Sequence, residues 1–353
     1  MASFEVILIS TDGTMEEIVK SIGVLGAGTW GMALARMLCN SGHDVTVWSA
    51  LGAEIDNLQT TRIHPNLPYM EIPEKMKFTK DIEEVCVDKD VLLFAVPSVF
   101  VRSTARSAAP YISESQIIVD VAKGIEPDTL FTMTQIIEDE LVKSGKDKNN
   151  LNLVALSGPT HAEEVAKDLP TTIVSACEKA DIAEQVQDIF MNSCMRVYTN
   201  TDVLGVELCG ALKNVIALAA GIAVGIGYGD NAKAALITRG MAEITRLGTA
   251  MGCNSSTFYG LAGMGDLIVT ATSVHSRNNK AGRLIGEGMK PSDAIKEVGM
   301  VVEGINALPA AKTLAEKYNV EMPIINAIDS VINYGQSPIE AVASLMQRGK
   351  KNE

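Results

Sequence analysis

From Ser21 to Leu156 the chain alternates short apolar runs with segments whose apolar positions recur at helical spacing. Ser21 to Leu25 reads as a strand, followed by a glycine turn and a helical pattern from Met32 to Asn40 that stops at Ser41-Gly42. Further strands are expected at Asp44 to Trp48, at Val91 to Val96 before Pro97, at Gln116 to Ala122 before Lys123-Gly124, and at Leu153 to Leu156. Strands alternating with helices predict a mostly parallel, doubly wound α/β sheet. From about residue 205 the pattern changes to long helical segments rich in Ala, Leu, Ile and Met, which predicts an all-α second domain. The expected division is an N-terminal extension at 1–20 without assigned function, an α/β domain at 21–205 and a helical domain at 206–353, with a ligand cleft at their junction.

The most apolar stretch, Val203 to Tyr228, is long enough to span a bilayer. Glu207, Lys213, Asn214 and several glycines interrupt it, so a buried helix and no integral membrane segment is the expectation. Such a helix gives Lys213 either a partner or a job. The opening MASFEVILIS has no basic flank and carries Glu5, which makes it a poor signal peptide and points to the cytoplasm. A formal charge of −13 disfavours nucleic acid as a partner. The six cysteines form no CxxC pair and the four histidines no HExxH cluster, so reduced thiols and no metal are expected.

Gly26-Ala27-Gly28-Thr29-Trp30-Gly31 fits GxGxxG directly after a strand and at the opening of a helix, which is the context of a Rossmann-type dinucleotide site. Gly26 serves the tight turn, Gly28 the approach of the pyrophosphate, and Gly31 the packing of helix on strand. The acidic residue expected at the end of the second strand to hold the adenosine ribose is missing: Trp48 is followed by Ser49, Ala50 and Leu51. No arginine stands there either, so the choice between NAD(H) and NADP(H) stays open.

Five segments combine into a more specific pattern: GAGTWG at 26–31, SGPTHAEE at 157–164, ELCGALKNVIALAAG at 207–221, LAGMGDL at 261–267 and TSVHSRN at 272–278. In order and spacing they resemble the bacterial NAD(P)-dependent sn-glycerol-3-phosphate dehydrogenase family from about Ile22 to the C-terminal region. The resemblance implies that Thr29 and Trp30 contact the cofactor beside the glycine turn, that Ala162 gives it a backbone contact, and that Val301 and Glu303 approach it. It implies that Lys123 lies near both cofactor and substrate, and that Gly158 and Thr160 offer an amide and a hydroxyl to the substrate. Asp266 would bind substrate hydroxyls or orient the catalytic Lys213. Ser276, Arg277 and Asn278 would clamp a phosphate, the guanidinium by a forked pair of hydrogen bonds, and Arg277 would also reach the cofactor. Two departures stand out: Ala50 and Asn279 occupy positions where the family often has basic residues, and the first removes a reason to favour NADP(H).

The implied reaction is hydride transfer between a nicotinamide cofactor and dihydroxyacetone phosphate or sn-glycerol 3-phosphate, feeding phospholipid synthesis. Lys213 would serve as general acid and base. The resemblance also suggests a homodimer. A β-hydroxyacid dehydrogenase would have no need of the Ser-Arg-Asn clamp, and a noncatalytic dinucleotide sensor no need of a lysine inside an apolar helix.

Overall fold

A computed structural model describes residues 19–350 and 352, so most of the expected N-terminal extension lies outside the described residues. The first elements are β1 (Ser21–Leu25), α1 (Thr29–Asn40), β2 (Asp44–Trp48), α2 (Gly52–Thr61), β3 (Lys77–Thr79), α3 (Ile82–Cys86), β4 (Val91–Phe94) and α4 (Val101–Ala108). They continue with β5 (Ile117–Asp120), α5 (Met133–Lys143), β6 (Asn152–Ser157), α6 (Ala162–Val165), β7 (Thr171–Ala176), α7 (Ala180–Phe190) and β8 (Met195–Asn200). The strands form one sheet of order β3-β2-β1-β4-β5-β6-β7-β8. Every neighbouring pair is parallel except β6 and β7. The central strands are buried on both faces, which is why Val91–Phe94 and Ile117–Asp120 read as continuous apolar runs rather than alternations.

The remaining elements are helical: α8 (Val203–Ile226), α9 (Asp230–Ala250), α10 (Ser255–Phe258), α11 (Asp266–Thr272), α12 (Arg277–Gly286), α13 (Pro291–Val298), α14 (Glu303–Lys317), α15 (Pro323–Tyr334) and α16 (Pro338–Met346). The chain divides into two compact units, one built from the sheet and ending its second segment at Val203, the other joining Lys123–Thr132 to the residues from Leu204 onward. The short segment Lys123–Thr132 thus belongs with the helices, although in sequence it interrupts the strands.

Helix α8 is the only described helix apolar and long enough to cross a membrane, and 83% of that apolar window is buried inside the protein. It forms the spine of the helical core together with Leu247, Phe258, Leu267, Leu308 and Ile325. Its backbone lies directly against α12: a Cβ on Gly221 would fall 2.2 Å from the Asn279 carbonyl oxygen, and one on Gly282 would fall 2.2 Å from that of Leu218. Only hydrogen side chains permit this approach. The seam fixes the start of α12 relative to the middle of α8, where Lys213 sits.

Candidate active site

The first unit presents the glycine turn between β1 and α1, and its three motif glycines are glycine for different reasons. Gly26 has φ of 125° and a Cβ there would lie 2.7 Å from the Ala95 carbonyl oxygen. A Cβ on Gly31 would lie 2.2 Å from the Gly26 carbonyl oxygen. The fold itself demands both. Gly28 has φ of −66°, which any residue adopts, and a Cβ there would meet nothing within 4 Å. Nothing in the protein asks for glycine at 28, so the open space above it fits an external group that approaches the backbone closely, as a pyrophosphate does. Helix α1 begins at this point with no side-chain cap, leaving the amides of its first turn to receive an anion.

Two residues that sequence reasoning missed steady this turn. The buried His64 ring bonds the backbone of Ala27 and accepts from the amide of Asn66, while Asn66 Nδ2 donates to Thr29 Oγ1 at 3.1 Å. Burial holds His64 below its ordinary value, so the ring is neutral there. Trp30 packs its partly buried ring on the sheet core. At the far end of β2, Ser49 Oγ donates to Glu54 Oε2 at 2.6 Å, so a carboxylate does stand at the strand end, supplied by the first turn of α2 rather than by the strand.

Gly158, Thr160 and Ala162 also lie in the first unit, past the end of β6. A Cβ on Gly158 would come within 3.0 Å of Ile173 Cα on β7, so the residue is needed for strand packing. The Thr160 hydroxyl donates to the Gly158 carbonyl at 3.2 Å instead of capping α6, whose N-cap is His161.

The second unit gathers the charged residues. Asp266 opens α11 immediately after one π-helical turn at Leu261–Gly265, with its side chain almost fully buried. Lys213 Nζ donates to Asp266 Oδ1, and Lys123 Nζ donates to Oδ2 of the same carboxylate at 2.6 Å. Lys213 Nζ also donates to Thr270 Oγ1 at 2.6 Å, and the Thr270 hydroxyl donates in turn to the Asp266 carbonyl at 2.7 Å. Thr270 was invisible in sequence because it is one helical turn past Asp266, where a threonine looks like any other.

Two ammonium groups on one buried carboxylate leave an excess positive charge. Burial pulls Lys213 down to about 7, against the attraction of Asp266 and with the repulsion of Lys123. Burial also acts to raise Asp266, but the two ammonium groups outweigh it and keep its carboxyl below the usual range. The group poised to give up a proton near neutral pH is therefore Lys213.

The start of α12 is tied to this cluster through the residue next to Lys213. Asn278 Nδ2 donates to Asn214 Oδ1 at 2.9 Å, and Asn278 Oδ1 accepts from the Gly304 amide at 2.8 Å. Asn278 thus spends much of its amide on the fold, joining α8, α12 and α14. Ser276 caps α12 by accepting from the Asn279 amide at 3.2 Å, which leaves its hydroxyl hydrogen to donate elsewhere. Arg277, between them, is exposed, and no described residue bonds its guanidinium. Glu303 begins α14 beside Gly304, with Val301 in the connection just before it.

The matches to known proteins cover both units. The family model for the N-terminus of NAD-dependent glycerol-3-phosphate dehydrogenase matches residues 21–183, and the one for its C-terminus matches residues 202–343. The chain is 69% identical over 335 residues to a glycerol-3-phosphate dehydrogenase [NAD(P)+] of Lactobacillus delbrueckii subsp. bulgaricus, covering 95% of this chain and 99% of that one. It is 50% identical over 338 residues to the enzyme of that name from Bacillus subtilis, covering 95% and 96%. Among solved structures, the glycerol-3-phosphate dehydrogenase of Coxiella burnetii superimposes with a TM-score of 0.88 at 33% identity, covering 94% of this chain and 99% of the other. On these matches and this geometry, the chain belongs to the NAD-dependent glycerol-3-phosphate dehydrogenase family.

Proposed function

We propose that the chain interconverts dihydroxyacetone phosphate and sn-glycerol 3-phosphate with NAD(H) or NADP(H), the sheet unit holding the cofactor and the helical unit the substrate. The observation that carries this reading is the buried Lys213, bonded to Asp266 and Thr270 and linked through Asn214 to the segment that begins with Ser276 and Arg277.

When bound, the nicotinamide cofactor supplies or accepts the hydride at the central carbon of the substrate. An ammonium has three hydrogens, and two of those on Lys213 are directed at Asp266 and Thr270. The third is left for the ketone oxygen, to which Lys213 gives its proton as that oxygen gains negative charge. In the oxidative direction the neutral amine takes the proton back from the hydroxyl. Asp266 keeps the amine aimed and offsets the charge of Lys123. Arg277 takes the phosphate by a forked pair of hydrogen bonds, with the Ser276 hydroxyl and the one remaining side-chain amide hydrogen of Asn278 completing the shell. An exposed guanidinium that no described residue bonds suits a dianionic phosphate better than the single carboxylate of a β-hydroxyacid.

No disulfide links the six cysteines, five of which are buried, and this supports work in the reducing cytoplasm, where the product would enter phospholipid synthesis. The test is to mix purified protein with dihydroxyacetone phosphate and reduced cofactor and follow the nicotinamide absorbance. Consumption of cofactor that depends on dihydroxyacetone phosphate supports the reading. Consumption driven by a β-ketoacid, with none by the phosphate ester, overturns it.

A further inference from the structure

Rossmann-type sites choose between the two nicotinamide dinucleotides at the end of the second strand. A carboxylate there accepts from the 2′-hydroxyl of the adenosine ribose, and a cation there receives a 2′-phosphate. The names of the relatives, written NAD(P)+, leave the choice open. In this chain the residues that directly follow β2 are neutral, but Glu54 is brought back to the strand end by the first turn of α2.

Three observations fix the carboxylate there. Ser49 Oγ donates to Glu54 Oε2 at 2.6 Å and accepts from the Leu51 amide at 3.1 Å, so the hydroxyl is held at both sides and aims the carboxylate. Glu54 Oε1 is bonded by no described residue and can accept from a ligand hydroxyl. The charge of Glu54 also acts on the His64 ring, which bonds the backbone of Ala27 inside the glycine turn. The Lys80 ammonium at this edge does not offset it: its side chain lies beside Gly52, but its Nζ is 2.6 Å from Asp56 Oδ1.

We propose that Glu54, positioned by Ser49, selects NAD(H) over NADP(H) by accepting a hydrogen bond from the ribose 2′-hydroxyl and repelling a 2′-phosphate. This rests on the dehydrogenase reading and sharpens it. A 2′-phosphate placed at this carboxylate would lose one charge-assisted hydrogen bond and gain a like-charge contact.

Direct titration of NADH and NADPH onto the full chain, by nicotinamide fluorescence without substrate, tests it. The unmutated protein should bind NADH about tenfold or more tighter than NADPH, the size of one charge-assisted hydrogen bond. Glu54→Gln removes the charge and keeps the shape, and should bring the two affinities within about threefold, mainly by tightening NADPH. Its thermal midpoint should match the unmutated protein. Equal affinities in the unmutated protein, a preference for NADPH, or an unchanged ratio in a folded Glu54→Gln would overturn the proposal while leaving the dehydrogenase reading intact. Binding of neither dinucleotide would overturn both.

Discussion

Lys213 on α8 and Asp266 at the start of α11 form a buried ion pair across 53 positions of sequence, and Lys123 reaches the second oxygen of the same carboxylate. Removing one partner of a buried pair usually leaves an uncompensated charge that costs about 3–5 kcal/mol. Here Asp266 has two cationic partners, so loss of Lys213 leaves Lys123 in place. In the proposed role of Lys213 as proton donor, that arrangement would let the lysine give up a proton without stranding the aspartate.

The proton balance at Lys213 gives a pH dependence with a definite sign. Its value is pulled down to about 7 by burial, so the ammonium predominates below that pH and the free amine above it. Ketone reduction needs the ammonium, and its kcat should fall as pH rises through about 7. Alcohol oxidation needs the amine, and its kcat should fall as pH drops through the same region. Profiles of kcat in both directions check this; two flat profiles from about pH 6 to about pH 8 would remove Lys213 from the proton transfer.

Arg277 is exposed and makes no bond to a described residue, so its replacement should leave the fold alone. Arg277→Leu is expected to raise KM for dihydroxyacetone phosphate by about 10- to 150-fold, the equivalent of a charge-assisted contact of about 1.5–3 kcal/mol. The thermal midpoint should stay where it was. An unchanged KM in the folded variant would mean that the phosphate is held elsewhere.

Gly28 and Gly31 separate ligand from fold within one motif. Gly28→Ala adds a methyl group that meets no protein atom within 4 Å, so thermal stability should hold while dinucleotide affinity drops by about tenfold or more. Gly31→Ala would press a methyl group 2.2 Å from the Gly26 carbonyl oxygen and should lower the thermal midpoint itself. Thermal melts with and without NADH distinguish the two. Full affinity in Gly28→Ala would place the pyrophosphate away from the turn.

How much of this was legible in sequence depended on whether the signal was local. β1 and β2 were readable to the residue because their apolar runs are bounded by a glycine turn and by Ser49. β3 has three residues and β8 alternates buried and exposed positions at the edge of the sheet, so neither carries an apolar run long enough to mark it. The helical second half declared itself through long segments rich in Ala, Leu, Ile and Met, while Lys213 and Glu207, which marked α8 as a buried helix rather than a membrane span, found partners in Asp266 and Thr132. Pairings across long stretches were out of reach: Lys123 meets Asp266 over 143 positions, and Glu54 returns to the end of β2 only because α2 begins with its first turn packed there. Asn278 was read as a ligand-binding residue, and its bonds to Asn214 and Gly304 add a role in joining three helices.

The most direct test of the account replaces Lys213 by methionine, which keeps the apolar stem and removes the proton. Circular dichroism should show the fold retained, and fluorescence titration should show NADH still bound. Under those conditions kcat for dihydroxyacetone phosphate reduction should fall by the ~10²–10⁴-fold typical of a lost general acid. A folded Lys213→Met chain that binds NADH and keeps more than about a tenth of the unmutated kcat would contradict the assignment of Lys213 as the proton donor.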